Sequence, residues 1–135
     1  MSSTLKRVIL DTNFLLLPAS ESLNITAELD RILEGNYELL VLSPCLNELN
    51  KLKGKGRKIA LAVRLALELI NKHAKVINIE KRENESVDDL IIRVAKELNA
   101  IVATCDRDLR RRLRREGVPT IFYRAYKKLD IEGEI

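Results

Sequence analysis

The chain has 135 residues, 46% hydrophobic and 33% charged, with a net charge of +4 and no Trp. That length suits a single domain with one core, and that apolar content excludes a disordered chain. No apolar run reaches the ~20 residues of a membrane span, and the start of the chain lacks the apolar stretch of a signal peptide, so a cytoplasmic protein with no membrane partner is expected.

In chain order, Val8-Ile9-Leu10 is a short apolar run ending in Asp11-Thr12-Asn13, the pattern of a buried strand in a parallel sheet. Phe14 to Pro18 predicts a short turn into the core, and Ile25, Leu29, Ile32 and Leu33 predict a helix stopped by Gly35. Glu38 to Leu42 is the second strand, and Ser43-Pro44 starts a helix with serine as its cap. Lys53-Gly54-Lys55-Gly56-Arg57 is a flexible basic connection, followed by a helix from about Lys58 to His73. Val76 to Ile79 is the third strand. Ser86-Val87-Asp88-Asp89 opens a helix as a capping box. Ala100 to Ala103 is the fourth strand, Asp106 to Glu116 a helix ended by Gly117, and Thr120 to Phe122 the fifth strand. Residues Arg124 to Ile135 form a polar tail lying over the surface. The expected fold is one α/β domain over residues 1–135, a central parallel sheet of about five strands with helices on both faces.

Three strands lead into acids: Asp11, Glu48 in the helix after the second strand, and Asp106. Parallel strands present their carboxyl ends on one edge, where open α/β sheets bind ligands. Asp88 shares a helix side with Ile91, Ile92 and Ala95 and so borders the buried stripe, whereas Asp89 aligns with Arg93 and Lys96 on the solvated side, where an ion pair is expected. Glu48 shares its side with Cys45 and Leu52, which also directs it inward. Taken singly these acids read as caps or helix starters. Together they would repel one another, and a divalent cation with oxygen ligands, Mg or Mn, relieves the crowding.

One or two such ions activate water against a phosphodiester. Cys45 and Cys105 match no zinc spacing and read as buried small hydrophobes. The single histidine, His73, falls at a helix end, leaving no Ser-His or Cys-His pair near the acids. Basic residues gather at Lys53, Lys55, Arg57 and Lys58 and again at Arg107, Arg110 and Arg111, where they would hold a phosphate backbone. A solvated face or heat adaptation accounts for such basicity as well. Thr12, Asn13 and Thr104 taken alone read as ordinary turn residues.

Asp11-Thr12-Asn13 after a first strand, an inward Glu48, Asp88 before an apolar helix, and Thr104-Cys105-Asp106-Arg107-Asp108-Leu109 after a strand resemble the PIN-domain nucleases across nearly the whole chain. The resemblance implies metal ligation by Asp11, Glu48, Asp88 and Asp106, with Thr12, Asn13 and Thr104 in support and Asp108 as an extra acid or an ion-pair partner of nearby arginines. It implies a single-stranded RNA endonuclease, often a homodimer, dependent on Mg or Mn. Gly117-Val118-Pro119 and the charged tail look more like archaeal relatives of the ribosomal-RNA-processing branch than like VapC-type toxins. The alternatives are such a toxin, and a non-catalytic RNA-binding assembly factor whose acids hold a structural cation; the expected protein partner is an antitoxin or a ribosome-assembly partner.

Overall fold

The computed structural model describes residues 5–135. The expectation that the chain starts without a signal segment falls largely on residues 1–4, outside those described.

Six strands form one sheet in the order β3-β2-β1-β4-β5-β6: β1 Lys6–Leu10, β2 Tyr37–Leu42, β3 Ala74–Ile77, β4 Ile101–Ala103, β5 Thr120–Ala125 and β6 Lys128–Glu132. The first five are parallel. Their apolar runs follow from burial on both faces: Val8, Ile9 and Leu10 are fully buried, as are Val41, Leu42, Val102 and Ala103. Each such Leu or Ile contributes roughly 1.5–3 kcal/mol by leaving water. Register sets Leu10 beside Ala103 and Ile9 beside both Leu40 and Val102, which brings the carboxyl ends of β1, β2 and β4 level.

The α-helices are α1 Leu17–Ser20, α2 Ile25–Ile32, α3 Ser43–Lys51, α4 Arg57–His73, α5 Val87–Leu98 and α6 Arg107–Arg115. From β1 the chain steps outward to β2 and β3, then returns past β1 to β4 and β5. Right-handed crossovers therefore put α2 to α4 on one face and α5 with α6 on the other. The reversal falls between β1 and β4, and the crevice beyond their carboxyl ends is where such sheets bind ligands.

Four expectations change on contact with the structure. The chain end is not a loose polar tail: Arg124 and Ala125 finish β5, and β6 pairs antiparallel with it. On β6, Leu129 and Ile131 alternate with Asp130 and Glu132, the period-two pattern of a strand wet on one face. Helix α2 clamps this strand, because the Leu129 N–H donates to Glu28 Oε1 at 2.8 Å and Arg31 Nη2 donates to the Leu129 carbonyl at 2.7 Å. Ser43 does not cap α3. It is the first helical residue, and its hydroxyl both donates to the Ile79 carbonyl and accepts from the Ile79 N–H at 3.0 Å. That tie holds Ile79 just past β3, which ends at Ile77 rather than Ile79.

The basic connection contains a 3-10 turn, Leu52–Lys55, and Gly56 follows at φ 129, a backbone open mainly to glycine. Cys45 is buried as expected, but Cys105 is exposed, because it follows β4 at the sheet's edge instead of lying within the strand. The capping box of α5 is present as read, with Ser86 and Asp89 each bonded to the other's backbone. No helix of the described residues is long and apolar enough to cross a membrane.

Candidate active site

Asp11 leaves β1 at the switch point with its backbone N–H donating to the Ala103 carbonyl at 2.9 Å, so the strand pairing itself fixes its position. It is the one charged side chain among the described residues in the buried class, at 6% exposure. Burying a carboxylate is costly unless something compensates it. Here no cation of the described protein does so. Oδ1 accepts from the Thr12 N–H at 2.8 Å and Oδ2 from the Thr104 hydroxyl at 2.8 Å. Thr104, at 0% exposure, in turn accepts from the Asp106 N–H at 3.1 Å, so one hydroxyl ties the end of β1 to the end of β4. Asn13 Oδ1 accepts from the Cys105 N–H at 3.0 Å and closes the same seam from the other side.

The remaining acids arrive on helices. Asp106 caps α6, with Oδ1 accepting from the N–H groups of Asp108 and Leu109 at 2.8 and 3.2 Å. Glu48, in α3, accepts from the Thr12 hydroxyl at 3.1 Å. Its residue is exposed, so the inward direction read from Cys45 and Leu52 is corrected: Glu48 stands at the open rim of the crevice, where the first turns of α3 meet solvent. Asp88, half-buried in the first turn of α5, accepts no hydrogen bond from a described residue, whereas Asp89 is occupied by the capping box and by Arg112 at 2.5 Å. The expected partners of Asp89 are elsewhere, since Arg93 forks onto Glu85 with both contacts at 2.9 Å. Asp108 is not brought in: its side chain is 87% exposed and pairs with Arg111 at 3.5 Å.

The four remaining acids act on one another through their fields. Burial pushes the Asp11 carboxyl above its ordinary range, and the charges of Asp88 and Glu48 push it further against the two hydrogen bonds. Burial also raises Asp88, followed by Asp106, with Arg112 opposing. Buried Cys45, beneath this cluster, has its thiol pushed up to about 12, by burial first and by Asp11 next. Among the described residues no three acidic, thiol or imidazole side chains stand close enough to form a ready-made cation cage. The donor chemistry nevertheless fits a hard cation. All four groups are carboxylates, two are held above their ordinary range by burial and by like charge, and positive charge at that edge would relieve both. His73 ends α4 beside the start of β3, at the opposite edge of the sheet, so no imidazole competes.

The basic clusters flank this edge. With 17 residues, α4 runs about 25 Å from its first turn to that opposite edge. Arg57 and Lys58 therefore lie on the acids' side of the molecule, with exposed Lys53 and Lys55 in the turn just before. Helix α6 starts just after its cap Asp106, and Arg107, Arg110, Arg111 and Arg114 line a cleft of about 220 Å³ with Glu132. Arg110 stacks on the Phe122 ring at 3.7 Å. Arg112, absent from the basic residues singled out above, faces the acids from α6. No spacing rule reveals that contact, because Asp89 lies 23 residues away.

A family model described as a PIN like domain matches residues 8–126, from inside β1 to the end of β5. This chain is a PIN-like domain. Over 96% of its length the PIN-like chain is 34% identical to Ribonuclease VapC4 of Methanocaldococcus jannaschii, covering 98% of that protein. Its fold is similar to the PIN domain endonuclease Utp24, with a TM-score of 0.77 at 22% identity over 96% of this chain and 92% of that one. It is also similar to a chain of VapBC-1 from nontypeable Haemophilus influenzae, with a TM-score of 0.57 at 21% identity over 81% of this chain and 93% of that one. The edge that carries Asp11, Glu48, Asp88 and Asp106 thus lies wholly within the PIN-like region.

Proposed function

We propose that this PIN-like domain is a divalent-metal-dependent endoribonuclease that hydrolyses phosphodiester bonds of single-stranded RNA. The observation that carries the proposal is Asp11, buried at the switch point without a compensating cation from the described residues and within the fields of Asp88 and Glu48. The full-length relative at 34% identity is named a ribonuclease, which supports the same activity.

Asp11, Glu48, Asp88 and Asp106 would hold Mg or Mn, as one or two ions, which when bound supplies an activated water and neutralises phosphate charge. The rest is positioning by the chain's own groups. Thr104 fixes Asp11 Oδ2, Thr12 fixes Glu48 Oε1, and Asn13 holds the Cys105 N–H so that the β4–α6 turn keeps its shape. Lys53, Lys55, Arg57 and Lys58 on one flank, with Arg107, Arg110 and Arg111 on the other, hold the RNA backbone without reading its sequence. The test is incubation of an end-labelled, unstructured RNA with Mn, with Mg and with EDTA. Internal cleavage in either metal and none in EDTA is the expected result. Binding without cleavage under every metal condition would point to the RNA-binding assembly factor.

Two cellular roles suit such an activity. Ribosomal RNA processing is the role implied by Gly117-Val118-Pro119 and the charged chain end. A toxin neutralised by an antitoxin is favoured by a different observation, the full-length identity to VapC4. Inducible expression separates them: a toxin arrests growth and a co-expressed neighbouring antitoxin restores it, whereas a processing enzyme does neither. Homodimerisation belongs to the same proposal, and sedimentation velocity checks it.

A further inference from the structure

The hairpin between β5 and β6 presents a side chain that the fold does not need. Tyr126 is 93% exposed, the largest exposure among the large hydrophobic side chains described. It and Lys127 sit at φ 52 and 60, the left-handed pair of a two-residue hairpin turn that ordinarily selects Asn and Gly. A tyrosine there costs backbone energy and recovers none through packing. The hairpin also projects past the sheet edge that carries the acids. Ile121 pairs with Ala103, level with the end of β4, and β5 continues four residues further, about 13 Å beyond that level.

Between acids and tip lies the arginine-lined cleft of α6, with Glu132 on its wall. Arg107 opens α6 beside Asp106, Arg110 lies on the Phe122 ring, and Arg124 follows two residues later on the same strand face, paired with Asp130 at 2.5 Å. An exposed aromatic ring at the end of a guanidinium track has the chemistry of a single-strand binding groove, with phosphates held along the track and a base stacked on the ring. We infer that Tyr126 is a base-stacking platform and that single-stranded RNA leaving the acids crosses Arg107, Arg110 and Arg124 to reach it. This rests on the proposed RNA substrate and adds a binding residue outside the acidic edge.

The test measures binding of a fluorescein-labelled oligouridylate in EDTA, so that nothing is cleaved. Tyr126→Ala should weaken binding about tenfold, the scale of one lost stack, with an unchanged melting temperature and an unchanged slope of affinity against salt. Arg107→Ala should reduce that slope by about one. Tyr126→Trp should bind as tightly as wild type, and because the chain has no other Trp its emission should be quenched by RNA. Affinity of Tyr126→Ala within about twofold of wild type, or unquenched emission from Tyr126→Trp, overturns the inference and leaves the nuclease proposal standing if wild type cleaves. A tenfold loss without any cleavage by wild type supports the platform and refutes the nuclease. Wild type that neither binds nor cleaves refutes both.

Discussion

Replacing Thr104 with valine removes one hydroxyl, keeps the β-branched shape and leaves no cavity, so what it measures is the tie between β1 and β4. That hydroxyl donates to Asp11 Oδ2 at 2.8 Å and accepts from the Asp106 N–H at 3.1 Å, in a residue with 0% exposure. A hydrogen bond to a charged acceptor is worth about 1.5–3 kcal/mol, and an amide stripped of its acceptor costs about 1–3 kcal/mol more. Asp106 is only half-buried and water can recover part of the second loss. The expected cost of Thr104→Val is therefore about 2–4 kcal/mol, or a fall in melting temperature of roughly 10 °C for a domain of this size. Urea unfolding gives the free energy, and Thr104→Ser, which restores the hydroxyl, should recover most of it. In an Asp11→Asn background the same substitution should cost at least about 1 kcal/mol less, because the charged acceptor is gone. A melting temperature for Thr104→Val within about 1 °C of wild type, or an equal cost in both backgrounds, would refute the tie.

Asp88→Asn should raise the melting temperature in EDTA, since it removes a carboxylate disfavoured by burial and by Asp106, and should abolish stabilisation by Mn. Asp89→Asn should do the reverse, lowering the melting temperature by loss of the Arg112 contact while keeping the Mn response; equal Mn responses in the two variants would refute the division of labour. For pH, the Glu28, Glu85 and Asp89 carboxyls are each held down at about 2, first by hydrogen bonds to Arg31, Arg93 and Arg112 respectively. Their stabilisation is fully present above the ordinary carboxylate values near 4 and is lost as pH falls through about 2, while Asp11 and Asp88, shifted upward, act in the opposite sense. Urea midpoints should therefore fall below about pH 4, less steeply in Glu85→Gln, and a flat profile would contradict the assignment. Gly133→Ala should destabilise by about 1–3 kcal/mol, because φ is +98 and the new methyl would stand 3.0 Å from Pro119 Cα; an unchanged urea midpoint would contradict it.

The parallel sheet was legible because strands buried on both faces must be continuously apolar, as Val8-Ile9-Leu10 and Ile101-Val102-Ala103 are. Strand β6 was missed for the complementary reason. An antiparallel edge strand with one wet face needs only Leu129 and Ile131, and the three charged residues alternating with them read as a tail. The alternation in Lys128-Leu129-Asp130-Ile131-Glu132 was the available signal. At the site, helix facing set Asp88 and Asp89 apart by local periodicity, and only Asp89 is engaged by the capping box and Arg112. Facing failed for Glu48, whose exposure is set by where α3 meets the rim, and for the partner of Asp89, because Arg112 reaches it from another helix. Ser43 shows the same limit: its sequence suggests a helix cap, and the tertiary pair to Ile79 takes its hydroxyl instead.

The most direct test of the account compares Asp11→Asn with Asp108→Asn in cleavage of an end-labelled single-stranded RNA under Mn. Asp11 is buried in the crevice and feels Asp88 and Glu48, whereas Asp108 projects into solvent beside Arg111. Asp11→Asn should lose at least about a hundredfold in rate, as expected when a group in the reacting shell is removed, and Asp108→Asn should cleave at close to the wild-type rate. Cleavage by Asp11→Asn at the wild-type rate would contradict the placement of the active site at this edge.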